Sequence, residues 1–341
     1  MRRSVLVARL DGAGDVLLAG PAIRAVAAVA DVTVLCGPAG AEAASMLPGV
    51  DRVLVWPAPW IVTPAPAVQA DDVASVVGEL ARRELDEAVL LTSFHQSPLP
   101  TALLLRLAGV GRVTGASVDH AGSLLDVRLR PGVDLPEDVP EPERALRIAA
   151  AAGFALPPGD DGRLAVRHPA PVAGEPSVVL HPGAAVTARR WPERHFRDAT
   201  RLLDAAGYRV LVTGAPAERG LTAAVAGDVG VDLGGRTTLP ELAAVLAGAS
   251  AVVVGNTGAA HLAAAVGTPV VSLFAPVVPA VRWRPYRVPH VLLGDQRAPC
   301  RGSRARECPV PGHPCLAGVT PHEVADAVAR LAPIGPEAVP A

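Results

Sequence analysis

Ala251-Val252-Val253-Val254-Gly255-Asn256-Thr257-Gly258-Ala259-Ala260-His261 is followed by Leu262 to Val266, Gly267-Thr268-Pro269 and Val270 to Phe274. The stretch reads as strand, tight turn, helix, turn and strand. Ala251 to Val254 is a short apolar run rich in β-branched residues, as a buried parallel strand requires. Leu262 to Val266 continues an alanine-rich helical pattern, and Gly267-Thr268-Pro269 punctuates it before the next apolar run. The turn Gly255–Gly258 presents backbone N–H groups at a helix N-terminus. Unpaired donors and the positive end of the helix dipole suit a phosphate there. Nucleotide or phosphate binding is therefore the first functional expectation.

The rest of the chain extends this pattern. Val5-Leu6-Val7-Ala8 is a buried-strand run that leads into the Gly-rich loop Asp11-Gly12-Ala13-Gly14-Asp15 and a helical pattern through Val29. Val32–Leu35, Arg52–Val55 and Ala88–Thr92 read as strands, the last running into Ser93-Phe94-His95-Gln96. Pro57 to Pro66, with four prolines, reads as an irregular excursion, and Glu79–Leu85 and Glu143–Ala152 read as helices. In the second half Val178–Leu180 and Val210–Val212 read as strands. Between them Phe196, Ala199, Leu203 and Ala206 fall on one face of a helix of period 3.6. Thr238 with Glu241, and Thr320 with Glu323, are capping boxes that open further helices. Alternating strands and helices predict an α/β protein with parallel sheets in two similar halves.

Composition bounds the function. A length of 341 residues favours two domains, and half of the residues are hydrophobic while 3% are aromatic, so the cores must be built from Ala, Val and Leu. Every basic residue is arginine and there is no lysine, which reads as GC-rich coding. A Walker-type phosphate loop is thereby excluded. The net charge of −2 gives no basic field for nucleic acid. Met1-Arg2-Arg3 precedes a run of strand length only, so no secretory leader is expected. The apolar stretch Leu242 to Phe274 is broken by Asn256, His261 and Gly267-Thr268-Pro269, against a membrane span. A cytoplasmic location with reduced thiols follows as the expectation.

Ligands of parallel α/β sheets bind beyond the carboxyl ends of the strands. Asp11–Asp15, Phe94–Gln96, His181–Arg190, Gly214–Glu218 and Gly255–His261 all fall there. Gly12-x-Gly14 is half of a dinucleotide fingerprint, but Leu17 replaces its third glycine and no acid follows the second strand, so no nicotinamide or flavin cofactor is expected. Asp15 at a helix start reads either as a first-turn acid that stabilises the helix or as a general base. His181-Pro182-Gly183 through Thr187 and Arg189-Arg190-Trp191 offers small residues, a hydroxyl and two guanidiniums to a diphosphate. Trp191 reads as packing for the helix start, and His261 as a core histidine or a support for the turn. Cys300, Cys308, His313 and Cys315 lack a Cys-x2-Cys pair and do not read as a metal site.

Taken together, Val5-Leu6-Val7-Ala8-Arg9-Leu10 leading to Gly14-Asp15-Val16-Leu17-Leu18 and Pro21-Ala22-Ile23-Arg24, His181-Pro182-Gly183-Ala184, Arg190-Trp191-Pro192-Glu193, Thr213-Gly214 with Glu218-Arg219, and Gly255–Gly258 with His261–Ala265 and Gly267-Thr268-Pro269 resemble glycosyltransferase family 9, the ADP-heptose heptosyltransferases of lipopolysaccharide synthesis. The cysteine-bearing segment Cys300–Cys315 resembles a loop of many members. The resemblance implies a GT-B architecture, two Rossmann-like domains with parallel sheets facing across a cleft. It implies an N-terminal acceptor-side domain over 1–158, a linker over 159–176, a donor domain over 177–319, a terminal helix over 320–331 packing back on the N-terminal domain, and a tail over 332–341. It also implies an inverting, metal-independent transfer of a sugar, a heptose in the family, from a nucleotide-diphosphate donor such as ADP-heptose. The acceptor class is a glycan, a lipid-linked or a small molecule, with peripheral contact at the inner membrane face if it is lipid-linked; no amphipathic anchor is evident.

Residue by residue, Asp15 matches the proposed general base. Gly14, His95 and Gln96 fall on the acceptor side. His181, Gly183, Thr187, Arg189, Gly214, Glu218, Asn256, Thr257, Gly258 and His261 fall on the donor side. Arg189 takes the place of a phosphate-binding lysine, and Asn256 stands where lipopolysaccharide enzymes commonly have Asp. A nucleotide-sugar epimerase or hydrolase on the same fold, and a nucleotide-sugar-binding protein without transfer activity, are the competing expectations.

Overall fold

The computed structural model describes residues 2–171 and 175–334. The chain divides into two compact units, Met1–Arg167 and His168–Ala341.

In the first unit the elements run β1 (Arg3–Arg9), α1 (Ala13–Leu18), α2 (Gly20–Ala27), β2 (Ala30–Cys36), α3 (Ala41–Met46), β3 (Arg52–Val55), α4 (Ala70–Ala81), β4 (Glu87–Leu90), α5 (Leu99–Leu107), β5 (Arg112–Ala116), β6 (Val127–Leu129) and α6 (Glu141–Ala151). The strands form one sheet in the order β3-β2-β1-β4-β5-β6, every pair parallel. Leu6, Ala8, Leu35, Leu90 and Leu105 are buried in one core cluster of this unit.

The second unit repeats the plan: β7 (Ser177–His181), α7 (Glu193–Ala205), β8 (Arg209–Val212), α8 (Arg219–Ala226), β9 (Val231–Asp232), α9 (Leu239–Ala247), β10 (Ala251–Gly255), α10 (Gly258–Ala265), β11 (Val270–Leu273), α11 (Ala280–Trp283), β12 (His290–Leu293), α12 (Pro314–Ala317) and α13 (Pro321–Leu331). Its parallel sheet has the order β12-β11-β10-β7-β8-β9. Counted from the first strand of each unit, both sheets have the doubly wound order 3-2-1-4-5-6, with the reversal between β1 and β4 and between β7 and β10. Such reversals open a crevice at the carboxyl edge, where ligands of this fold class sit.

Local sequence explains the elements around those crevices. α10 is buried nearly all round, which its alanines allow because they let neighbouring backbone approach. Gly267 ends it at φ +84°: its N–H bonds Ala264 O, and the Thr268 N–H bonds Ala263 O, a Schellman motif. α7 buries Phe196, Ala199, Thr200 and Leu203 and leaves Arg194 and Asp198 on its other side. Both expected capping boxes form at Thr238 and Thr320.

Some expected boundaries move. The helix expected from Asp15 to Val29 breaks at Ala19, because Pro21 has no N–H to continue the ladder to Leu17. The helix expected over Glu79–Leu85 spans Ala70–Ala81 and is stopped before Glu84, which adopts φ +48°. The linker expected over 159–176 starts too early. Asp160 takes two hydrogen bonds from Arg24, at 2.6 and 2.9 Å, and the Arg167 N–H bonds Met46 O, so residues through Arg167 belong to the first unit. α13 buries Val324, Ala327 and Val328 in the core of the second unit. Within the expected linker and tail, residues 172–174 and 335–341 lie outside the described residues.

Candidate active site

At the crevice of the first sheet, β1 ends on Arg9, whose side chain is 3% exposed. Its Nε lies 2.9 Å from Asp11 Oδ2, and its Nη2 donates to Asp15 Oδ1 at 2.8 Å and to Ser93 Oγ at 3.0 Å. Its Nη1 lies 3.7 Å from Glu141 Oε2 at the start of α6. One buried guanidinium thus faces three carboxylates. Burial opposes its charge, but Asp11, Asp15 and Glu141 more than offset this and push its pKa above the ordinary arginine value. The Asp11 carboxyl is pushed up, first by burial and then by the charge of Asp15, against the pull of Arg9 and the Gln96 amide.

Asp15 is not the helix cap. Gly12 holds that position, and its carbonyl accepts the Asp15 and Val16 N–H groups. The Asp15 carboxylate, 28% exposed, is turned to Arg9 and is the most accessible of the three. Gly14 precedes it in the same turn. Gln96 Nε2 donates to Asp11 Oδ1, and Gln96 Oε1 accepts the Ser93 N–H at 3.2 Å, so this side chain bridges the loops after β1 and β4. His95 is exposed, its ring edge-on to Phe94 at 5.3 Å. Asp11 lies in a loop expected at the crevice and Arg9 in a strand of the family resemblance, but neither is assigned a role by sequence, nor are Ser93 and Glu141 singled out. The available signal was an arginine closing an apolar strand with aspartates two and six positions on.

At the second crevice, His181 Nδ1 lies 3.0 Å from Thr213 Oγ1, and burial lowers its pKa against the charge of Glu218. Glu218 accepts the Ala215 N–H at 2.9 Å and lies directly against the backbone of Gly183 and close to Gly214, so these glycines leave room for its carboxylate. Arg189 Nη1 donates to Asn256 O at 3.2 Å. A Cβ on Gly255 would stand 2.9 Å from Arg189 O, so the glycine permits close approach of the arginine segment to the β10 turn. Asn256 is buried and bonds both ways to Ala275, accepting its N–H at 3.3 Å and donating to its carbonyl at 3.5 Å. An aspartate there lacks the donor for the second bond.

Thr257 caps α10 in extended conformation without a side-chain cap bond, and its Oγ1 is buried with no hydrogen-bond partner. Gly258 opens the helix, and His261 is buried within it. The site residues expected on the donor side therefore gather around β7, β8 and β10 of one sheet edge. Thr187 is turned away from this group toward the cysteine segment: its Oγ1 donates to Arg306 O at 3.1 Å. Trp191 packs as expected, buried against Phe196 with its Nε1 donating to Val319 O at 3.0 Å.

The cysteine segment supports this loop. Arg306 O also accepts the Ala188 N–H at 3.0 Å, and His313 Nε2 lies 3.1 Å from Ala188 O. Cys300 and Cys315 are buried in the unit's core. Burial, with Cys300 and Cys308 nearby, pushes the Cys315 thiol up to about 11. Among the described residues no group of His, Cys, Asp and Glu is placed to hold a metal ion, and no helix is long and apolar enough to cross a membrane.

Comparison with known proteins places this geometry. Residues 95–312 match the family described as glycosyltransferase family 9 (heptosyltransferase). Lipopolysaccharide heptosyltransferase 1 of Pseudomonas aeruginosa is 33% identical over 211 residues, covering 58% of this chain and 57% of that protein. The match thus spans little more than half of the relative's length. A family 9 glycosyl transferase from Veillonella parvula superposes with a TM-score of 0.75 at 16% identity, over 96% of this chain and 97% of that one. The E. coli heptosyltransferase WaaC with ADP-2-deoxy-2-fluoro heptose gives 0.72 at 22% identity, over 96% and 99%. These likenesses show a shared GT-B fold. With a family match over more than half of its length, the chain belongs to glycosyltransferase family 9.

Proposed function

We propose that the chain transfers a heptose from an ADP-heptose-type donor to a glycan acceptor, with inversion and without a metal. The observation that carries this reading is Asp15: an accessible carboxylate, oriented by buried Arg9, at the crevice of a doubly wound sheet. Asp15 takes the proton of the attacking acceptor hydroxyl. The acceptor oxygen bonds to the anomeric carbon from the face opposite the leaving group, and the bond from that carbon to the diphosphate oxygen breaks. Gln96 and Arg9 hold the carboxylate pair in place, and Gly14 leaves space beside it.

The nucleoside diphosphate departs with its charge met at the second crevice. The N-terminus of α10 at Thr257 and Gly258, the Thr257 hydroxyl and Arg189 supply donors and positive charge to the diphosphate, a reading that the family resemblance supports. Fixed dipoles and a guanidinium there take the part that a divalent cation plays in metal-dependent enzymes. His181, Gly183, Gly214 and Glu218 shape the rest of that edge, and Asn256 and His261 hold its turn. The names of the relatives support heptose as the sugar and ADP as the nucleotide. The reaction is assigned to the cytoplasm, with contact at the inner membrane face if the acceptor is lipid-linked.

Asp15→Asn is the test. Transfer is expected to fall by about 10²–10⁴-fold, while ADP binding by calorimetry stays as in the parent. A folded Asp15→Asn protein with full turnover would remove Asp15 from the mechanism.

A further inference from the structure

Thr187 and His313 take no part in the proposed transfer, yet both reach the loop that carries Arg189. Ala188 is buried, and both of its backbone polar groups go to the segment between Cys300 and Cys315. Its N–H donates to Arg306 O at 3.0 Å, and its carbonyl oxygen lies 3.1 Å from His313 Nε2. A carbonyl only accepts, so that imidazole carries a proton on Nε2. Thr187 Oγ1 donates to the same Arg306 O at 3.1 Å. The Ala188 carbonyl shares its peptide with the Arg189 N–H. His313 therefore fixes the backbone plane from which the Arg189 guanidinium reaches Asn256 O. The support is itself anchored: Cys315 is buried, and its carbonyl accepts the Asp295 N–H at 3.0 Å. His313 has φ 51° and ψ 51°, left-handed backbone that glycine adopts freely and asparagine readily. A histidine is held there at some backbone cost, which its bond to Ala188 offsets.

We propose that His313 is a positioning residue for the donor: its bond to Ala188 O holds the Arg189 guanidinium in place for the diphosphate, without His313 touching the ligand. The proposal rests on the assignment of Arg189 to the diphosphate. Nucleotide affinity then depends on a contact between residues 125 positions apart in the chain, and the cysteine-bearing segment has the task of carrying the donor loop. Without the bond the Ala188 peptide is free to turn, and the long arginine side chain follows it. The ordering that a bound diphosphate requires then falls on the binding step and weakens it.

Substitutions of His313 in the full chain separate positioning from stability, with ADP affinity read by calorimetry and folding by urea unfolding. His313→Gly and His313→Asn suit the left-handed backbone, but neither brings a donor to the place of Nε2, because the asparagine amide falls short of it. His313→Gln brings an amide N–H to that place on a backbone that suits it less. ADP affinity is expected to fall about tenfold in His313→Gly and His313→Asn, and to stay within about twofold of the parent in His313→Gln. Stability should not track this order, because the residues that suit the backbone are the poorer donors. Parent-like affinity in His313→Gly or His313→Asn overturns the proposal. So does a folded His313→Gln protein that fails to restore affinity, and so do losses of affinity that follow losses of stability in all of them. Arg189→Gln separates this proposal from the reading beneath it. The expected result is weakened ADP binding in Arg189→Gln, with no further loss when His313→Asn is added. A full further loss shows that the two act independently and overturns the part given to His313. Parent-like ADP binding in Arg189→Gln removes Arg189 from the diphosphate and takes the proposal with it.

Discussion

Arg9 sets the charge balance of the first crevice, and its removal gives the largest residue-scale effect. Arg9→Met would leave Asp11, Asp15 and Glu141 together without their shared cation. Breaking a buried charge cluster in this way costs about 3–5 kcal/mol, to be read as a drop in urea-unfolding free energy at pH 7. The sign with pH follows from linkage. Without the guanidinium the Asp11 carboxyl, already pushed up by burial, binds its proton more tightly folded than unfolded, so the variant should recover stability as pH falls and lose it as pH rises. His181 gives the opposite dependence in the parent protein. Its folded pKa is lowered by burial, so below the ordinary histidine value the unfolded chain binds a proton that the folded chain does not. Stability should therefore fall as pH drops from about 6.5 toward 5. His195 is lowered too, so His181→Asn should flatten that fall in part. At this scale Asp15, Gln96, Asn256 and Thr257 were legible because loop position and residue type agree. Arg9 was not, because a charged residue closing an apolar run reads as the point where the strand meets water. Its burial depends on β4 and α6, which lie far along the chain.

Elements with strong local signals form where the sequence puts them. β10, its turn and α10 follow from an apolar run, small residues and a glycine stop. α13 follows from its capping box, although its place in the fold does not. That box gives an element-scale expectation. Thr320→Ala removes the hydroxyl that accepts the Glu323 N–H at 3.2 Å and loosens a helix whose apolar face lies in the core. A loss of about 1 kcal/mol in urea unfolding is expected, with transfer activity unchanged once the protein is folded. Gly255→Ala acts on a different property. The new methyl group meets the backbone oxygen of Arg189, which cannot swing aside as a side-chain tip can. The arginine segment must shift, and ADP affinity by calorimetry should weaken about tenfold, equivalent to about 1.4 kcal/mol. The strands β5, β6, β9 and β12 were not legible. Val231–Asp232 and Val127–Leu129 are too short to show a pattern, and pairing with a sheet already formed defines them. The reversed order of each sheet is likewise a property of pairing between distant segments.

At the scale of the whole molecule, one strand order occurs twice, each time with its own core. Leu6, Leu35 and Leu90 pack in one cluster, and Val178, Val253 and Phe196 in another. Hydrogen bonds from Arg24 and Arg167 tie residues 160–167 into the first unit, so a division at Arg167 and His168 cuts no element of either sheet. Each unit is of ordinary domain size and has a parallel sheet covered by its own helices. Fragments Met1–Arg167 and His168–Ala341, made separately, are therefore expected to unfold cooperatively in urea, each with a native-like circular dichroism spectrum. Their ligand responses should differ. If the α10 turn and the Arg189 segment bind the nucleoside diphosphate, ADP should stabilise the second fragment and leave the first unmoved. At about 100 times the dissociation constant the gain is about 2.7 kcal/mol, which is readable as a shift in the unfolding midpoint. A shift of the first fragment instead would transfer the nucleotide to the Asp15 crevice. That crevice already holds Asp11, Asp15 and Glu141 around a single guanidinium, so a diphosphate there would meet three carboxylates and one committed cation.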